Sequence, residues 1–241
     1  MSKARSDLFK QEAIPENEVD ALTVYGMIGI VIGARLGHCL FYEPSYYLAH
    51  PLEMLLPISI QEDGSISYIG YRGLASHGGA LGLLLALLFF ARKTGHSKLL
   101  ILDLIAIATG LAAGFIRLAN FMNSEIIGSP TNQSWGVIFE QVDKFPRHPA
   151  QLYEALSYFI IFGILWYLYH KKRERYPHGS FFGIALILIF SARLMLEFTK
   201  QNQVSFEEGM TLNMGQLLSF PYILLGIGCM VYARRITNFQ K

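Results

Sequence analysis

Six long, mostly apolar stretches recur along this chain, at 21–43, 74–93, 99–120, 150–170, 179–199 and 214–233, and they leave few folds open. About twenty apolar residues in a helix match the hydrocarbon thickness of a bilayer. In lipid the backbone must satisfy its own hydrogen bonds, so such segments become helices. Charged residues make up 16% of the 241 residues, against roughly 25% in soluble domains. The expected fold is an all-α polytopic membrane protein of about six transmembrane helices. Glycines within the runs, such as Gly26, Gly29, Gly33 and Gly37, then Gly78, Gly79 and Gly82, allow the helices to approach closely.

Lysine and arginine set the orientation. On the side of the termini fall Lys3, Arg5 and Lys10, then Arg92, Lys93 and Lys98, the run Lys171 to Arg175, and Arg234, Arg235 and Lys241. The opposite side holds only Arg72, Lys144, Arg147 and Lys200. The positive-inside rule therefore expects both termini in the cytoplasm of a multi-pass protein. Residues 1–20 read as a polar cytoplasmic N-terminus, 21–236 as one transmembrane domain and 237–241 as a cytoplasmic tail. The first twenty residues have no apolar core, so they are not a cleaved signal peptide. A net charge of +2 without a basic stripe points away from nucleic acid. Cys39 and Cys229, far apart within apolar runs, read as buried free thiols.

The segments opposite the termini read as a small cap. Residues 44–56, proline-led and rich in tyrosine, suit a helix lying in the interface. Two short alternating segments around Asp63 and Gly64 signal a hairpin. A long loop, 121–149, carries Pro130, Trp135, Pro146 and Pro149 and no obvious secondary structure.

Polar residues within the spans carry the chemistry. Arg117, Asn120 and Glu125 stand within nine residues at the end of an apolar run. A charge at that depth costs at least ~2.5–3.5 kcal/mol, so it faces a cavity, a partner or a ligand. The expected topology puts Arg35, His77, Arg117, Asn120, His148, Gln151, Tyr153, Glu154, Arg193 and Glu197 toward one leaflet. Glu154 and Glu197 are candidate counter-charges, with Glu197 four residues from Arg193 on one helical face. Arginine's planar fork suits phosphate, and a pocket for an anionic phospholipid headgroup follows, its acyl tails leaving between helices. His77, beside Gly78 and Gly79, is the titratable candidate. Arg35 reads equally as a tie between helices, His148 as a loop anchor and Asp103 as interfacial. An anion transporter would need polar residues through the whole membrane depth, whereas the inner halves of these spans are apolar.

These residues lie in motifs that resemble the bacterial phosphatidylglycerol–prolipoprotein diacylglyceryl transferases. The segments are VYGMIGIVIGARLGHCLFYEP (24–44), GLASHGGALG (73–82), GFIRLANFMNSEIIG (114–128), SWGVIF (134–139), RHPAQLYEAL (147–156), SARLMLEF (191–198) and NMGQLLSFP (213–221), in family order. The resemblance implies transfer of diacylglycerol from phosphatidylglycerol, a membrane lipid, to the lipobox cysteine thiol of a prolipoprotein signal peptide. Glycerol phosphate leaves and a thioether forms. It also implies residence in the inner membrane with the active site toward the periplasmic leaflet, and no metal or soluble cofactor. Catalytic roles would fall on His77, Arg117 and Arg193, and lipid contacts on Arg117, Asn120, Glu125, Gly128, Tyr153, Arg193 and Glu197. The resemblance further implies a membrane helix ahead of 21–43, for which these residues have no counterpart, and glycines where Ile116 and Ala119 stand. A lipid-binding relative without turnover, or an N-terminally truncated transferase, is the alternative reading.

Overall fold

The computed structural model describes residues 8–56, 58–60, 65–68, 70, 73–200 and 212–239. Its long helices are α1 (Glu16–Phe41), α4 (Ser76–Thr94), α5 (Lys98–Met122), α6 (Ala150–Lys172), α7 (Ser180–Leu196) and α8 (Met214–Phe239). Between α1 and α4 lie two short helices, α2 (Pro44–Ala49) and α3 (Pro51–Leu55), and strands β1 (Ile58–Ile60) and β2 (Ile66–Tyr68). Between α5 and α6 lie β3 (Val137–Ile138) and β4 (Pro146–Arg147).

Among the described residues, five helical segments are long and apolar enough to cross a membrane: Glu16–Phe41, Lys98–Met122, Ala150–Arg175, Ser180–Thr199 and Met214–Ile236. The protein is all-α and polytopic. Helix α4, expected as the second span, falls outside that set. It begins at Ser76 and His77, ends at Arg92, Lys93 and Thr94, and spends Gly78, Gly79 and Gly82 on packing rather than hydropathy. Helix α1 starts at Glu16, inside the stretch expected to be polar, with Pro15 ahead of it and Glu16 and Glu18 in its first turn. Both choices suit a helix N-terminus, where proline loses no bond and carboxylates meet the dipole.

The chain forms two compact units, Met1–Ile101 and Leu102–Lys241. In the first, α1 and α4 meet through glycine. A methyl at Gly33 would overlap the Gly78 carbonyl, and one at Gly29 would come within 2.6 Å of the Gly82 carbonyl. Backbones this close are the small-residue packing of membrane helices. The seam is closed at one end by Lys93 Nζ donating to the Tyr25 hydroxyl (2.9 Å) and by His96 against Glu18 (2.6 Å). The expected interfacial helix is broken in two at His50, because Pro51 starts α3. Arg35 is the tie that the sequence allowed. Buried, it donates to the Met54 and Glu53 carbonyls (3.2 and 2.6 Å) and lies over the Tyr47 ring. The expected hairpin strands pair antiparallel, Ile58 with Tyr68 and Ile60 with Ile66, while its Asp63-Gly64 turn lies outside the described residues.

In the second unit, α7 packs against both α6 and α8. Asp103 corrects an expectation. It is fully buried, not interfacial, and accepts from the Gly179 and Phe182 amides (both 2.7 Å). The first turn of α7 has orphan amides and no capping side chain of its own, so a carboxylate from α5 caps it. The loop between α5 and α6 is also more ordered than expected, because β3 and β4 pair within it. Cys39 is buried and Cys229 half-buried, both as free thiols.

Candidate active site

Helix α5 ends in a backbone reversal that the Arg117–Asn120 spacing exploits. Ser124 and Ile126 both take positive φ (56° and 53°), flanking Glu125. Such a conformation is an outlier for a β-branched residue, and strain of this kind collects at functional positions. The reversal folds Glu125 back over the helix end, where its amide donates to the Asn120 carbonyl (2.9 Å). Asn120 Nδ2 in turn donates to Glu125 Oε2 (2.7 Å), and Arg117 Nη1 donates to Asn120 Oδ1 (3.1 Å). Gln151, on the first turn of α6, donates to the Glu125 carbonyl (2.6 Å).

From Arg117 the ion network continues through α6. Arg117 Nε lies 3.0 Å from Glu154 Oε2, with the guanidinium side chain 16% exposed and the carboxylate fully buried. Glu154 Oε1 is 2.9 Å from Lys200 Nζ, which also lies 3.2 Å from Glu197 Oε2. The chain runs Asn120–Arg117–Glu154–Lys200–Glu197, cations and anions alternating from Arg117 onward. Tyr158 lies one turn beyond Glu154, within electrostatic reach of Glu154, Arg117 and Arg193.

Arg193, in the last turn of α7, departs from the expected pairing with Glu197. Helix α7 stops at Leu196 and Glu197 enters a 3-10 turn, its amide still donating to the Arg193 carbonyl, yet Lys200 takes the carboxylate. Among the described residues Arg193 has no ion pair, and its buried Nε has no hydrogen-bond partner. Among the described residues, Arg193 is therefore a cation without a carboxylate partner.

Gly128 is a close-approach residue. A side chain there would overlap the His148 carbonyl, and its own carbonyl accepts from Arg147 Nη1 (3.0 Å). It bridges to Lys200, while the Ser129 amide donates to the Thr199 carbonyl (2.9 Å), which brings the end of α7 against the reversal. His148 anchors the loop as expected, its amide donating to the Ser129 carbonyl (3.0 Å). Tyr153 faces the loop rather than the ion network, accepting from Trp135 Nε1 (2.9 Å) and meeting His148 Nδ1 (3.3 Å). Ile116 and Ala119 are exposed, so the bulk they add fills nothing in this unit. A shallow depression of about 240 Å³ under Pro130, Phe145 and Pro146 contains none of the expected site residues.

His77 belongs to the first unit, on the first turn of α4. Its exposed ring stacks on Tyr42 (5.9 Å between centroids), which stacks on His38 (5.5 Å), itself 3.7 Å from Glu43. Sequence reasoning missed three participants. Lys200 was counted only as a charge outside the membrane, although its place three residues after Glu197 was a signal. Tyr158 follows Glu154 by four residues, on the same face of α6, and carried the same signal. His38 carried none, since the turn that brings Tyr42 between the two histidines is tertiary.

Comparison with known proteins decides the family. The chain matches the family described as Prolipoprotein diacylglyceryl transferase over residues 3–232. It is 50% identical over 224 residues to the phosphatidylglycerol--prolipoprotein diacylglyceryl transferase of Bacteroides fragilis, covering 93% of this chain and 81% of that one. The chain belongs to the prolipoprotein diacylglyceryl transferase family. Identically named proteins of Tolumonas auensis (46% over 229 residues, 95% of this chain and 84% of the relative) and Chloroherpeton thalassium (45% over 221 residues, 91% and 78%) extend the match. The family's motifs are thus the segments that build the reversal, the ion network and the Arg193 turn.

Proposed function

We propose that the protein transfers the diacylglyceryl group of phosphatidylglycerol to the cysteine thiol of a prolipoprotein. The observation that carries the proposal is Arg193, which has no ion pair among the described residues and whose buried Nε has no hydrogen-bond partner, in a membrane protein of this family. A guanidinium with an unsatisfied donor is matched by a phosphodiester, which accepts along the same fork. In the reaction the cysteine sulfur attacks the glyceryl carbon, and the carbon–oxygen bond to phosphate breaks. The electron pair leaves with glycerol phosphate, and a thioether remains.

Arg117 and Arg193 stabilise charge on the departing phosphate, where fixed donors act most strongly in a water-poor site. The thiolate is the competent nucleophile, so the thiol proton must go to a base. His77 takes that role, its ring free of hydrogen bonds to described residues and its orientation set by Tyr42. Asn120 and Glu125 fix the Arg117 fork, and Gly128 admits the close backbone. The site opens toward the periplasmic leaflet of the inner membrane, with both termini cytoplasmic and the lipobox segment of the signal peptide as the second substrate. The lysine and arginine asymmetry supports this orientation.

The test incubates purified protein with phosphatidylglycerol and a lipobox peptide, and measures glycerol phosphate release. Wild type is expected to release it, and Arg117→Ala and His77→Ala to lose release by roughly 10²-fold or more. No release from wild type removes the transferase reading, and release unchanged in Arg117→Ala removes the site.

A further inference from the structure

Lys200 is a group this chemistry leaves unused, and it is a buried cation of the second unit. Its side chain is 3% exposed, it touches both buried carboxylates of the network, and its backbone bridges to Gly128. Glu197 has little freedom to move away. Its carboxylate occupies the space a Gly215 side chain would need, the nearest atom 2.5 Å from that position. Two cationic partners for Glu197 are therefore available by spacing: Lys200, three residues on, and Arg193, four residues back. The structure contains the first pairing and not the second.

Resting on the transferase reading, we propose that Lys200 is a positioning residue that keeps Arg193 free for the lipid phosphate by holding Glu197. Glu154 and Glu197 present two charges, and Arg117 alone balances one of them. Without Lys200 the remaining buried carboxylate lacks a counter-ion, a state that costs several kcal/mol. Arg193 has no ion pair among the described residues, and its carbonyl already accepts from the Glu197 amide, so a change of side-chain rotamers brings the guanidinium to Glu197. The phosphate then competes with an internal carboxylate for the same fork. The defect belongs to lipid binding, and it is undone by removing the carboxylate's charge.

The experiment compares the full chain, wild type, Lys200→Met, Lys200→Arg and the double variant Lys200→Met with Glu197→Gln. Each is purified in detergent, checked for folding by thermal unfolding, and assayed two ways. One readout is kcat and KM for phosphatidylglycerol; the other is retention of phosphatidylglycerol in native mass spectrometry. Lys200→Met is expected to raise KM and weaken retention by roughly tenfold, with a smaller change in kcat. The double variant is expected to recover most of that loss, and Lys200→Arg to keep near wild-type KM. A folded Lys200→Met with wild-type KM and retention overturns the proposal, as does a folded double variant no better than Lys200→Met. Should Lys200→Met fail to fold, Lys200→Gln with and without Glu197→Gln gives the same comparison. A wild type that retains lipid in this order without turnover sinks the transferase reading and leaves the role of Lys200 standing.

Discussion

The two units hold themselves together by opposite means. In the first, α1 and α4 meet backbone to backbone over Gly29, Gly33, Gly78 and Gly82, with the polar contacts Lys93–Tyr25 and His96–Glu18 set at one end. In the second, α5, α6 and the end of α7 are joined by Arg117, Glu154, Lys200 and Glu197. The seam is steric, so it fails with volume and is indifferent to charge. The network is electrostatic in a water-poor setting, so it fails with charge and tolerates some change of shape. The proposed lipid contact belongs to the second kind, where Arg193 has no ion pair among the described residues.

The largest effect is expected at the seam. Gly33→Leu drives a side chain into the Gly78 carbonyl and should abolish the monodisperse folded peak in fluorescence-detected size exclusion. Gly79→Ala is the control, since a methyl there meets nothing nearer than 3.5 Å, and it should fold normally. Equal tolerance of both would break the comparison.

Next comes the network. Glu154→Gln leaves Arg117 and Lys200 without their shared anion, and breaking a buried pair costs about 3–5 kcal/mol. Thermal unfolding in detergent should show a lowered midpoint, whereas Glu125→Gln, at an exposed carboxylate, should move it little. A smaller effect is expected at Asp103→Ala, which uncaps α7 and should cost about 1–3 kcal/mol by the same measurement. No change there would mean the cap is idle.

What the sequence made legible follows from where the information is local. Apolar windows are local, so the long helices were recoverable, and glycine spacing within 29–37 and 78–82 foretold the seam. The Arg117–Asn120–Glu125 knot was legible because polar side chains in hydrocarbon demand partners. Which partners they take is tertiary. Asp103 reaches an amide 76 residues away, and no pattern near it says so. The Arg193–Glu197 spacing misled because the turn after the helix offers Glu197 a second cation, Lys200, three residues on. Lys200 looked like a loop charge until the bridge to Gly128 drew it inward.

The smallest effect lies in the loop, outside both kinds of packing. Arg147, hydrogen-bonded to Asp143, holds that carboxyl below the usual carboxylate range, and Asp143 also accepts from the Phe145 amide (3.1 Å). A depressed acid contributes its order above the ordinary value of about 4 and loses it as pH falls through the lower folded value. Protection of the Phe145 amide in hydrogen exchange should fall only under strong acid, and Asp143→Asn should remove that dependence. Protection lost on raising pH through neutrality, beyond the exchange chemistry itself, would contradict the sign.

The central claim is that Arg193 meets a lipid phosphate. Phosphorus–nitrogen dipolar recoupling on the ¹⁵N-arginine protein, reconstituted in phosphatidylglycerol bilayers, measures that contact directly. The expected result is an arginine signal dephased by phosphorus at roughly 4 Å or less, as a guanidinium–phosphate pair requires, and diminished in Arg193→Gln. Dephasing undiminished in Arg193→Gln, or absent from wild type, would contradict it.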